Sequence, residues 1–309
     1  MQAIQKSGST VSVDEVLMPK LKRHDDVRVR VELAGLCRTD LYAAEGKLKT
    51  PDQLILGHEF SGVVTESSSM DFRSGDRVCV NPLLTCGHCA CCLQGAHGAC
   101  DEAQFIGVDK QGCFAGYIVV PASSIYRLPD SMRFLEAAYA EPVAASLAVL
   151  KTGITAEQKG VIYGANRFAQ LLQQIMRVYG FNRVDLFDPT TKSANEQLET
   201  NGYDYAIETF INSQVMSDLI RVVKPGGKII LKSRQHEELS LKMNEIIKKE
   251  PILHVVNYGS FAEAIELLAS GKLDITNLVD DIYSLQQFAP VFSRSKQSES
   301  LKPFFAPWS

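Results

Sequence analysis

From residue 27 the chain alternates, with Val27, Val29, Val31 and Leu33 apolar and Arg28, Arg30 and Glu32 charged. Successive side chains of a strand point to opposite faces, so this period of two predicts a half-buried strand. The short apolar runs FSGVV, RVCV and GYIVV, punctuated by glycine and proline, predict further strands in the first half. Around residue 141 the texture changes. EPVAASLAVL reads as a helix, VIYG as a strand, FAQLLQQIMRVYG as a helix and RVDLFD as a strand. YDYAIET, NSQVMSDLIRVV, KPGG and KIILK then read as strand, helix, turn and strand. Alternating strands and helices imply a parallel sheet with helices on its faces. The tail carries an amphipathic helix, FAEAIELLASG, ended by Gly271, followed by LVDDIYSL and KPFFAPWS. The sequence contains no internal repeat and no low-complexity segment.

Composition narrows the function classes. The chain has 309 residues, 45% hydrophobic and 22% charged, and this length predicts two domains with separate cores. The net charge of −4 is spread along the sequence, without the basic stripe that nucleic acid requires. No uninterrupted apolar run is long enough to span a bilayer, and the opening MQAIQKSGST lacks the apolar core of an export signal. The expectation is a cytoplasmic protein that acts on a small molecule, with neither nucleic acid nor membrane as partner.

Candidate metal chemistry sits in the run CGHCACCLQGAHGAC. Cys86, Cys89, Cys92 and Cys100 follow one another in steps of three, three and eight residues, and Gly87, Gly95 and Gly98 let the chain wind tightly between them. Four thiolates converging at tetrahedral geometry suit a closed, structural zinc site. The plainer alternative is a reduced cysteine-rich loop without metal, while disulfides do not suit a chain of this expected compartment. Cys91, His88 and His97 read as bystanders. Upstream lie Cys37 in AGLCRTD and His58 and Glu59 in LGHEFSGVV; downstream lies Glu141 in AEPVAAS. One thiolate, one imidazole and one or two carboxylates form a ligand set typical of a catalytic zinc with an open position. Taken singly each residue reads as core, cap or polar pair; their order around the four-cysteine loop gives them weight.

The stretches VRVRVELAGLCRTD, LGHEFSGVV, SGDRVCVNP, the cysteine loop, FIGVDKQGCFAGYIVVP and AEPVAAS cover nearly all of residues 27–150. In that order they resemble the zinc-containing medium-chain dehydrogenase/reductases, the alcohol dehydrogenase superfamily. The polyol and threonine dehydrogenase branch, with its galactitol-phosphate- and sorbitol-type members, is the most similar. The resemblance implies an α/β fold: a GroES-like, mostly-β catalytic domain and a Rossmann-type doubly wound parallel-sheet domain. It implies two zinc ions per chain, with Cys37, His58 and Glu141 holding the catalytic one and Glu59 a direct or exchangeable fourth ligand. It further implies that Thr39 relays the proton of the substrate alcohol and that Arg38 lies near the cofactor pyrophosphate. The implied reaction transfers hydride between NAD(H) and a small hydroxylated substrate, a polyol, sugar derivative or amino alcohol.

The second half departs from that pattern. The glycine-rich turn GxGxxG of relatives reads here as Gly164-Ala165-Asn166-Arg167-Phe168-Ala169. Ala169 is an accepted substitute at the third position, but Asn166 replaces the glycine that lets the backbone approach the pyrophosphate. Its side chain is expected to crowd the phosphate or force the cofactor outward. Asp188, 24 residues after Gly164, stands where an acid bonds the adenosine ribose and favours NAD over NADP; it reads equally as a turn residue before Pro189. Only 20 residues lead from Asp188 to Glu208, too few for a helix of about 11 residues, a strand of about 5 and another helix. The stretch PTTKSANEQLETNGYD therefore holds one short helix or a loop, and the Rossmann unit is trimmed, its adenine side missing. Expected boundaries are 1–146 and 258–309 for the catalytic domain and 147–257 for the shortened cofactor-binding domain. A divergent zinc enzyme on this scaffold, with non-standard or absent nicotinamide use, is the alternative function. A non-catalytic binding protein is a third, disfavoured by the complete ligand set. The apolar segment Ile252–Val256 lies where relatives pair sheets across a two-fold axis, which implies a homodimer or a tetramer.

Overall fold

The computed structural model describes residues 1–189, 198–233, 238–298 and 300–309. It divides into two compact units, Met1–Pro142 with Phe261–Ser309, and Val143–Ser260.

In the first unit the strands Ile125–Arg127, Arg77–Val80, Glu59–Ser67, Asp26–Gly35, Lys302–Phe305 and Val279–Tyr283 lie side by side in that order. Tyr117–Pro121 pairs with Asp26–Gly35 as well. The alternation read from the sequence holds at Val27, Val29 and Val31, which are fully buried. It fails at Leu33, which is half-buried while Ala34 turns inward. A register shift between Val31 and Leu33 explains the failure, because one extra residue flips the faces of everything after it. The core of this unit gathers the valines of Asp26–Gly35 with Val64, Val78, Phe114 and Phe305. The carboxyl-terminal strand thus enters the sheet: Phe304 stands opposite Gly35, and Gly35 faces Glu59 on its other side.

The second unit is a parallel sheet. Its elements are β1 (Gly160–Tyr163), α1 (Arg167–Val178), β2 (Val184–Phe187), β3 (Tyr203–Glu208), α2 (Ser213–Val222), β4 (Val223–Leu231), α3 (Met243–Lys249) and β5 (Ile252–Val255). The strand order is β2-β1-β3-β4-β5, and every pair is parallel. Helices cover both faces: Val161 and Tyr163 of β1 pack with Leu219 of α2, and Ile162 packs with Leu172 and Met176 of α1. Burial on both faces is why β1 reads as an unbroken apolar run rather than an alternating one. KPGG, expected as a turn ahead of the strand, is instead carried within β4. Tyr203 pairs with Val223 and Tyr205 with Lys228, so the glycines loop out of the ladder, with Gly226 at φ +72°.

The chain winds from β1 to β2 in one direction and then to β3 on the opposite side of β1. That reversal is the hallmark of a doubly wound sheet, whose ligand crevice opens beyond the carboxyl ends of the strands flanking it. Among the described residues the sheet has five strands and ends at β2, which agrees with a trimmed Rossmann unit. Residues 190–197 of PTTKSANEQLETNGYD lie outside the described residues, and with them the expected short helix or loop. Among the described residues no helix is long and apolar enough to cross a membrane.

Candidate active site

Gly57, at φ +96°, makes the turn that delivers His58 into the first unit's interior; a Cβ there would lie 2.6 Å from the Phe114 ring. Cys37 stands at the amino end of the helix Arg38–Ala44, and Glu59 opens the strand Glu59–Ser67. One ligand atom each of Cys37, His58 and Glu59 lies within 4.8 Å of the others. His58 is fully buried and Glu59 is 1% exposed. Glu141 stands outside this close group. It is buried on the helix Ala140–Leu147, and its charge helps to hold the Glu59 carboxyl above its ordinary value. Thr39 is buried too, its Oγ1 3.9 Å from Cys37 Sγ.

Two residues that the sequence reading missed organise this cluster. Asp40 is fully buried; its Oδ2 accepts from the Cys37 N–H at 2.9 Å, and its Oδ1 accepts from the Gly57 N–H at 3.1 Å and lies 2.9 Å from His58 Nδ1. A carboxylate only accepts, so Nδ1 carries a proton and Nε2 is the ring nitrogen left to face Cys37 and Glu59. Burial pulls the imidazole down, but the Asp40 and Cys37 charges outweigh it and raise His58 well above its ordinary value. The second missed residue is Lys302, 2% exposed, whose Nζ pairs with Glu59 Oε2 and donates to the Leu36 carbonyl at 3.3 Å. Gly35 makes the pair possible, because a Cβ there would lie 2.8 Å from Glu59 Oε2 and 3.3 Å from Lys302 Cδ. Burial pushes the Glu59 carboxyl up and the Lys302 ammonium pulls it back; burial prevails. Asp40 lies only three positions after Cys37 in CRTD, where the motif itself could have flagged it. Nothing local marks Lys302.

The residues fit a metal ion. His58 Nε2 is buried and has no hydrogen-bond partner among the described residues, 3.9 Å from Glu59 Oε1. An orphaned buried acceptor is costly unless a cation or donor meets it. The four-cysteine loop fits a second ion. Its sulfurs gather within 4.8 Å, with Cys86 3.9 Å from Cys92 and 3.7 Å from Cys100. Sulfurs about 2.3 Å from a tetrahedral zinc stand roughly 3.8 Å apart, which matches these spacings. Backbone N–H groups of His88 and Cys89 lower the Cys86 thiol to about 6, favouring the thiolate a metal binds. All eight cysteines are free. Cys91 and His97 stay outside the cluster, while His88 and Glu102 approach Cys86 from the exposed side.

Residues 23–130 match the alcohol dehydrogenase GroES-like domain family. The chain is 29% identical to the sorbitol dehydrogenase of Bacillus subtilis over 99% of its own length and 96% of the relative's. The crystal structure of galactitol-1-phosphate dehydrogenase from Escherichia coli superposes with a TM-score of 0.89 at 26% identity, covering 99% of this chain and 100% of that one. Over nearly its whole length the chain is thus similar to polyol dehydrogenases. A further similar structure, a zinc-binding dehydrogenase from Sinorhizobium meliloti 1021, is bound to NADP. It matches with a TM-score of 0.89 at 25% identity, covering 99% of each chain.

Four of the residues expected near a cofactor are placed as follows. Gly164 follows β1 at φ +137°, and Ala169 is fully buried in the first turn of α1, packed against Ile162. Asp188 follows the last residue of β2, and Arg38 opens its helix in the first unit. The position of the second glycine departs. Asn166 is the N-cap of α1, its side chain turned into the helix end. A nucleotide therefore fits these positions, with Asn166 as the obstruction.

Proposed function

We propose that this chain is a zinc-dependent oxidoreductase that moves hydride between NAD(H) and a small hydroxylated substrate: a polyol, sugar derivative or amino alcohol. The observation that carries the reading is the buried, unpartnered Nε2 of His58, held by Asp40 to face Cys37 and Glu59. A bound zinc would supply the Lewis acidity that makes a substrate hydroxyl acidic, and a bound nicotinamide would supply the hydride acceptor. Cys37, His58 and Glu141 hold the first ion, with Glu59 a direct or exchangeable fourth ligand, and Asp40 fixes the tautomer and direction of the ring. Thr39, within reach of the Cys37 sulfur, passes the hydroxyl proton away from the substrate. Lys302 holds one oxygen of Glu59 and leaves the other facing the cluster. Cys86, Cys89, Cys92 and Cys100 hold a second ion that serves stability.

Gly164, Ala169 and Asp188 are the cofactor contacts of the second unit and Arg38 is the candidate in the first, and the Asp188 carboxylate repels the extra phosphate of NADP. The names of the relatives, sorbitol and galactitol-1-phosphate dehydrogenases, support a polyol. The catalytic domain comprises 1–146 and 258–309 and the cofactor domain 147–257, in a cytoplasmic protein. A homodimer or tetramer is the proposed assembly, supported by β5, an edge strand whose Ile252, Leu253 and Val255 are 48%, 45% and 81% exposed. A second reading, a divergent zinc enzyme that uses its nicotinamide differently or not at all, is favoured by the Asn166 cap and the five-stranded sheet.

Metal analysis tests the first reading. The wild type should carry two zinc ions per chain, and His58→Ala should drop the count toward one while abolishing alcohol oxidation across a polyol panel. An unchanged count in His58→Ala would overturn the ligand assignment.

A further inference from the structure

At the reversal of the second unit's sheet, the loops after β1 and β3 are packed directly on one another. A Cβ on Gly164 would lie 2.0 Å from Thr209 Oγ1 and 3.5 Å from Cδ1 of the Phe210 ring. The Gly164 N–H donates to the Phe187 carbonyl at 2.9 Å, and the Thr209 N–H donates to the Tyr163 carbonyl at 3.1 Å. Asn166 closes what remains. Its Oδ1 accepts the Ala169 N–H at 2.9 Å, and its Nδ2 donates to the Thr209 carbonyl at 3.3 Å.

An internal comparison shows which of these bonds needs explaining. Asn212 caps α2 in the same way, accepting the Val215 N–H at 2.9 Å, and among the described residues that is its one side-chain bond. Capping therefore accounts for the bond to Ala169. It does not account for the bond to Thr209, which ties the loop after β1 to the loop after β3 across the crevice.

We propose that Asn166 is an internal latch on the dinucleotide seat and sets this chain's affinity for its cofactor; the proposal rests on the oxidoreductase reading. A pyrophosphate seated against the start of α1 needs free N–H groups and a close approach of the backbone. Here a side chain occupies the approach, and one of the N–H groups is already taken. Binding must displace Asn166 from Ala169, from Thr209 or from both. The loss of one net hydrogen bond corresponds to roughly tenfold in affinity. The latch acts on the pyrophosphate alone, so ligands without one should not sense it.

The test uses the zinc-loaded full chain, titrated with NADH by fluorescence and with ADP-ribose and adenosine by calorimetry. Asn166→Gly should bind NADH and ADP-ribose about tenfold more tightly than wild type, with adenosine unchanged; glycine is tolerated at an N-cap, so the variant folds. Asn166→Ser keeps a capping oxygen on a side chain too short to reach Thr209 as well, and should fall between the two. If wild type binds NADH and Asn166→Gly binds it no more tightly, the latch is refuted and the oxidoreductase reading stands. A gain for adenosine equal to that for ADP-ribose also refutes it. If neither protein binds NADH while both retain two zinc ions, the latch and the hydride-transfer reading fall together.

Discussion

The two units handle polar groups at their functional ends in opposite ways. In the first, Asp40, His58, Glu59 and Lys302 are almost wholly removed from water and hydrogen-bonded or ion-paired, yet His58 Nε2 is left without a partner. In the second, the Asn166 side chain accepts the Ala169 N–H and donates to the Thr209 carbonyl, so one donor at the start of α1 is already engaged. Glu208 is a partial exception. Its Oε1 accepts the Lys232 and Ser233 N–H groups, and its Oε2 is buried without a partner among the described residues. An orphaned group held rigidly by its neighbours implies that a ligand completes the fold, whereas a satisfied one implies that a ligand must compete with it. On the readings proposed above, the first unit is prepared for a metal, and in the second a nucleotide must compete with Asn166.

The largest effect expected from breaking this contrast lies in the cysteine loop. Cys92→Ser should remove one zinc and much of the folding energy that the metal contributes to this lobe. A loss of about 5 kcal/mol would lower Tm by roughly 10–20 °C, at two to four degrees per kcal/mol for domains of this size. Calorimetry with metal analysis checks it, and full stability with unchanged metal would break the structural assignment.

Next comes Lys302→Met. Removing one partner of a buried ion pair strands the other, and the cost of such a change is about 3–5 kcal/mol. Denaturant unfolding should show it, with Lys302→Arg recovering most of the loss; a cost below about 1 kcal/mol would mean that Glu59 does not depend on Lys302. The smallest of the three is Asp40→Asn, which keeps a side chain beside His58 but no longer enforces the tautomer. Zinc affinity at the Cys37–His58–Glu59 cluster should fall about 10- to 100-fold while the cysteine loop keeps its ion. Competition with a chromophoric chelator reads both sites, and equal affinity in variant and wild type would remove Asp40 from the account.

Much of this molecule is legible from local sequence. The apolar period of two in Val27–Val31, the spacing of the four cysteines, and the alternation of strand and helix after residue 141 each follow from chemistry that acts over a few residues. Such patterns survive because a strand face, a thiolate cluster or an amphipathic helix is specified by near neighbours. The change at Asn166 is visible in the same way, as a residue with a side chain where a bare backbone is needed.

What only the tertiary structure decided depends on groups brought together from far apart. Lys302 meets Glu59 from 243 positions away because the carboxyl-terminal strand pairs beside Gly35, the one place in that row without a side chain. The direction of His58 is set by an aspartate on another element, and the inclusion of Glu59 rather than Glu141 in the close group is set by the turn at Gly57. The Asn166 side chain, expected from sequence to crowd the phosphate or force the cofactor outward, finds its partners in Ala169 and Thr209. A residue's type limits which bonds it can make, but partner and direction are chosen by strand register and by the cost of leaving a buried polar atom unmatched.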